Sequence, residues 1–178
     1  YLTETATIPV KPPLRARPTS KLPGHGKLIE LCTDANSTMG RAAKEFSGIK
    51  VRRITQEHDL ADAKTVESIL NDICRNPGTS VHASLPCTSW CQWHVVNLRK
   101  FGDKYRAKLK EQQTQSKHLL RQFIIIAEVA LKQGGEISFE WPDSSLGWLM
   151  PELVQFQNKW NLHSATVHSC ACGLTDSK

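Results

Sequence analysis

No stretch of this chain is long and apolar enough to cross a bilayer. The longest apolar run, FIIIAEVAL at 123–131, is interrupted by Glu128 and falls far short of the roughly 20 residues a spanning helix needs. The opening residues lack the apolar h-region of a secretory signal, so no membrane partner is expected. Internal repeats are absent, and no strand–turn–helix carries the GxGxxG of a dinucleotide site, which disfavours a bound pyrophosphate. Six cysteines permit a disulfide framework, but 178 residues can bury a core without staples. Free thiols in a reducing intracellular compartment, nuclear or cytoplasmic, are expected. Starting at Tyr1 without an initiator methionine, the chain reads as a piece of something longer.

What is present is an ordinary globular composition, 39% hydrophobic and 22% charged, with a net charge of +6. That excess points modestly to a polyanionic partner, nucleic acid first. Much of it sits in the N-terminal stretch and on one helix (Lys104, Arg106, Lys108, Lys110), where a solvated face explains it equally well. Residues 1–26 hold Pro9, Pro12, Pro13, Pro18 and Pro23 with little periodicity, the composition of a flexible basic linker.

From Lys27 to the end at Lys178 the text is that of one domain. Short β-branched runs at KLIELC, GIKVRRIT, TSVHASL, EISFEW and HSATVHSC read as strands. Between them TMGRAAKEF, ADAKTVESILNDICRN, a long segment from about Asp103 to Gln133, and PELVQFQNKW carry helical spacing. Val66, Ile69, Leu70 and Ile73 share one face of the second helix. Leu119, Leu120, Phe123, Ile126, Ala127 and Ala130 share a face of the third, which Gly134–Gly135 ends. Such alternation predicts an α/β fold: an open, mostly parallel, Rossmann-like sheet with helices on both faces. Ligands in such sheets bind beyond the carboxyl ends of the strands, so function must be built from Cys32–Ser37, Thr55–Asp59, Pro86–Trp90 and Glu140–Pro142.

In the first of these loops, ELCTDANSTMG, Asp34, Asn36 and Ser37 stand where phosphate-binding glycines would, so a ligand without phosphates fits better. Ser37 or Asn36 serves equally as an ordinary helix cap. The second loop offers Glu57, His58 and Asp59 at the cleft edge, and Asp62 reads as a helix cap. The third presents Cys87 behind Pro86, either an inert buried thiol or a rigidly held nucleophile. Glu140 ends an alternating apolar strand, where a buried charge is costly unless it is used. On neighbouring strands, a thiol and an acid together suit attack on a ring carbon with protonation of the adjacent ring nitrogen.

LIELCTDANSTMGRAA, HDL, LPCTSW and SFEWP, in this order, resemble the cytosine-C5 methyltransferases of the class I S-adenosylmethionine-dependent fold. The resemblance covers roughly residues 27–142 and implies methyl transfer to cytosine in nucleic acid, DNA ahead of RNA. It makes Cys87 the nucleophile and Glu140 the acid that holds the base. It assigns Glu30, Cys32, Asp34, Asn36, Asp59 and Pro86 to the cofactor and its surroundings. In this sequence the first motif lacks its glycines, and Trp141 stands where that family has asparagine after the glutamate. With the terminal CACGL, the pattern also looks like methyltransferase-like domains inside retroelement polyproteins.

Two other readings stay open. Cys87, Cys91 and His94, together with His168, Cys170 and Cys172, offer soft and imidazole ligands in two clusters, a candidate structural zinc site. Alternatively the domain is a catalytically degenerate cofactor fold that binds nucleic acid or assembles within a larger polyprotein. Trp90, Trp93, Trp141 and Trp148 would then stack bases or a partner chain.

Overall fold

The computed structural model describes residues 26–45 and 48–167. The proline-rich stretch up to residue 25 and the three potential ligands His168, Cys170 and Cys172 lie outside them.

Four strands form one sheet: β1 (Lys27–Leu31), β2 (Lys50–Ile54), β3 (Ser80–Ala83) and β4 (Ile137–Phe139). Their order is β2-β1-β3-β4, and every pair is parallel. Four helices connect or follow them: α1 (Thr38–Ala42), α2 (Ala63–Arg75), α3 (His94–Lys132) and α4 (Pro151–Trp160). The chain is therefore an α/β protein built on a small, all-parallel sheet. Among the described residues no helix is long and apolar enough to cross a membrane.

Side chains alternate across each strand, and the register aligns that alternation over the whole sheet. Leu31 pairs with Ile54 and Ala83, and Ile29 with Val81, so these apolar side chains share one face. All five are essentially inaccessible to solvent and form the core with Val66, Ile69 and Ile73 of α2 and Leu120, Phe123, Ile126 and Ala127 of α3. The opposite face carries Glu30, Arg53, His82 and Ser138, aligned by the same register. Right-handed crossovers account for the asymmetry: the connections that run from β2 across to β4 stack α2 and α3 on one side, whereas the β1–β2 connection runs the other way. Helices on both faces were expected, and among the described residues the second face receives the five-residue α1, which lies over Arg53.

Local signals explain the boundaries. Asp62 caps α2, its carboxylate accepting from the Thr65 amide, and Ser37 caps α1 by accepting from the Gly40 amide. Gly134 adopts a left-handed φ of 79° after α3, and Gly135 packs so close to the Thr79 carbonyl that no side chain fits there. The long helix begins earlier than its spacing predicts, at His94. It is two helical segments joined at Gly102, whose φ of 61° and ψ of −144° lie in a region only glycine enters readily. The expected last strand, 163–170, is not formed over 163–167, which run irregularly, and 168–170 lie outside the described residues.

Candidate functional site

β3 and β4 are neighbours, so the loops that leave their carboxyl ends are held together. Glu140 donates its amide to the Ala83 carbonyl (3.1 Å). The Trp141 indole N–H donates to the Leu85 carbonyl (2.7 Å) from a buried position. Gly147 lies against the Trp141 ring, where a Cβ would fall 2.2 Å from it, so the ring is fixed from both sides. Cys87 begins a tight turn over Thr88–Trp90, and its carbonyl accepts from the Trp90 amide (2.9 Å). Trp90 anchors that turn by donating to the Ser116 hydroxyl on α3 (2.8 Å).

These loops open on a cleft of about 1220 Å³. Pro86, Cys87, Glu140 and Trp141 line one side, and residues 162–167 form another wall. Cys87 and Glu140 thus share a cleft, as expected from the strand order. Glu140 is not buried, however. Its side chain is 66% exposed because β4 is the outermost strand and residue 140 projects from the polar face. The carboxylate accepts from the Ser84 hydroxyl (2.5 Å) and stands 3.9 Å from Nε2 of His82.

This arrangement brings in three residues that sequence reasoning passed over. With the Ser84 proton directed at Glu140, the Ser84 oxygen accepts from Nε2–H of His82 (3.2 Å). The His82 Nδ1 is left to accept from the Ser138 hydroxyl (2.7 Å). Glu140 is thereby oriented through Ser84 by a nearly buried imidazole. The signal available was alternation: His82 and Ser84, like Ser138 and Glu140, fall on the same side of their strands.

The residues assigned to a cofactor at the ends of β1 and β2 do not line this cleft. Glu30 is 1% exposed, accepts from the Ser37 hydroxyl (2.7 Å) and pairs with Arg53 (3.4 Å). Its carboxylate is committed to the fold. Cys32 has a left-handed φ of 56°, and burial raises its thiol from 9.0 to about 11, so it stays protonated near neutrality. Asp34 and Asp59 are exposed, and each accepts a backbone amide two residues on, from Asn36 (2.7 Å) and Ala61 (2.8 Å).

Of the potential zinc ligands, His94 has both ring nitrogens engaged. Nε2–H donates to the Thr88 carbonyl (2.6 Å), and Nδ1 accepts from the Tyr105 hydroxyl (2.7 Å). Among the described residues no group of three His, Cys, Asp or Glu side chains is placed to hold a metal ion. Of the four tryptophans expected around the cleft, Trp90 and Trp141 are core residues and Trp148 is half-buried, its indole donating to the Pro142 carbonyl (2.9 Å). Trp93 alone of the four stands free, 72% exposed.

Comparisons with protein-family models, with curated proteins and with solved structures found no match to this chain.

Proposed function

We propose that this α/β domain is of the class I methyltransferase type and transfers a methyl group from S-adenosylmethionine to C5 of cytosine in nucleic acid. The observation that carries the reading is the single cleft lined by Cys87 and Glu140 behind two adjacent parallel strands. Cys87 follows a proline and is half-buried, which gives a thiol held in one place yet open to a ligand. Its sulfur forms a bond to C6 of the ring, and the displaced electron pair moves toward C5 and N3. Glu140, oriented by Ser84 and His82, supplies a proton at N3. Once the methyl group is on C5 and the donor has left as S-adenosylhomocysteine, loss of the C5 proton expels the Cys87 thiolate, and return of the N3 proton to Glu140 restores the ring.

When bound, the methyl donor would supply an electrophilic methyl group to C5. The exposed carboxylates of Asp34 and Asp59, at the ends of β1 and β2, suit its ammonium and adenine amino groups. Glu30 does not fit that role, since Arg53 and Ser37 already hold it. Glu30 therefore shapes the loop rather than contacting the donor. That same commitment favours a second reading, a degenerate methyltransferase-like module that binds nucleic acid or assembles within a larger, retroelement-like polyprotein without using the donor.

An oligonucleotide containing 5-fluorocytosine separates the two. With S-adenosylmethionine present, the reaction traps a covalent adduct on Cys87 that Cys87→Ser cannot form. Failure of S-adenosylhomocysteine to bind calorimetrically, together with no adduct, would leave only the second reading.

A further inference from the structure

Beyond the turn that presents Cys87, the chain builds an exposed arm. Its helical segment, 94–101, ends at the Gly102 break, and the chain then turns back on itself. The Tyr105 hydroxyl meets His94 at 2.7 Å although the two lie 11 residues apart, a span of about 16 Å along an unbroken helix. Asn97 donates to the same hydroxyl (3.0 Å), so Tyr105 pins the arm at two points. His94 in turn holds the Thr88 carbonyl, one residue from Cys87. The arm is thus fixed to the cleft's edge.

Its outer surface is apolar and basic at once. Trp93, Val96 and Lys100 recur at helical spacing on one side, with Trp93 72% and Val96 53% exposed. Phe101 is also exposed and carries the Lys100 ammonium 5.2 Å above its ring. Between Trp93 and Lys110 the basic residues Arg99, Lys100, Lys104, Arg106, Lys108 and Lys110 are all exposed, while Asp103 is the sole acid. None of these basic side chains is needed by the core.

We infer that this arm is a binding site for single-stranded nucleic acid, with bases stacked on Trp93 and Phe101 and phosphates paired with Arg99, Lys100 and Lys104. Stacking on an exposed ring beside a positive track is how unpaired strands are held without sequence preference. A duplex hides its base faces and offers the rings nothing. The site deepens the proposed reaction by naming how its substrate is held, and rests on that reading only for the class of substrate. Cytosine in a single strand needs no extraction from a stacked helix before it reaches the cleft.

The test is made on the full chain carrying Cys87→Ser, so that binding is read without chemistry. Fluorescence anisotropy of a labelled single strand of about 15 nucleotides should show Trp93→Ala weakening binding about tenfold, with Trp93→Phe largely restoring it. Replacing Arg99, Lys100 and Lys104 by glutamine should reduce the salt slope of binding by about 2. Equal affinity in the parent and Trp93→Ala, preference for duplex over single strand, or binding only to phosphatidylserine vesicles would each overturn the site. The trapped adduct, measured separately with Cys87 intact, reports on the reaction. Binding through the arm without an adduct removes the reaction and keeps the arm, whereas an adduct untouched by Trp93→Ala does the reverse.

Discussion

Cys32 and Cys87 both follow parallel strands and both pack partly against the core, but of the two only Cys87 borders the open cleft. Burial raises the Cys32 thiol to about 11. At a pH of about 8, where an ordinary thiol is partly ionised, iodoacetamide should label the exposed Cys74 well ahead of Cys32. Peptide mass spectrometry over time reads that order, and Cys32 reacting as fast as Cys74 would contradict it. The family resemblance put Glu30 and Cys32 in a cofactor loop at the end of the first strand, and they flank the last residue of β1. The sequence could not show that Arg53 on the next strand reaches across to neutralise Glu30. Nor could it show that Glu140 projects from an outermost strand, since the edge of a sheet is a property of strand order and not of any one segment.

At the scale of elements, the arm depends on Gly102. Alanine there is strained at φ 61°, ψ −144° and should cost about 1–3 kcal/mol in thermal or urea unfolding. Tyr105→Phe, which removes only the hydroxyl shared by His94 and Asn97, should cost about 1 kcal/mol. An unchanged unfolding midpoint for Gly102→Ala would mean the break is not held by the fold. The four parallel strands and the helices α2 and α4 were legible from periodicity and caps. The first two turns of α3 were not. Trp93, Val95 and Val96 are exposed, so the segment buries no apolar stripe of the kind that marks a helix in sequence. The segment 163–167 fails in the opposite way: its β-branched residues favour a strand, but propensity alone supplies no ladder partner.

Taken whole, the molecule ties its sheet to α2 through charge. Burial alone would raise the Asp72 carboxyl, but hydrogen bonds and charge from Lys27 on β1 and Arg52 on β2 outweigh it and hold it below the ordinary range. The unfolded chain takes up this proton near a pH of about 3.9, while the folded protein resists it. The contribution is therefore present above that value and lost as pH falls from it through the lower folded pKa. Glu128, held down by Lys159, and Glu152, by a backbone amide and then Arg121, act in the same direction. Asp72→Asn should lower stability by about 1 kcal/mol at neutral pH, solvent screening taken into account, and flatten its decline below about pH 4. Urea midpoints across that range measure both, and parallel curves for the two proteins would refute the assignment.

The strand order carries a kinetic consequence as well. A sheet with every neighbour parallel contains no hairpin, so no two strands can meet through a short turn. His82 and Ser138, which touch across β3 and β4, are separated by 56 residues, and the Lys27–Asp72 pair by 45. Each pairing has to wait for a long loop to close, and that entropy is lost before any ladder bond compensates it. Refolding of this small chain should be governed by search rather than by strand formation, with β4, reached only after α3 has docked, among the last pieces to find its place.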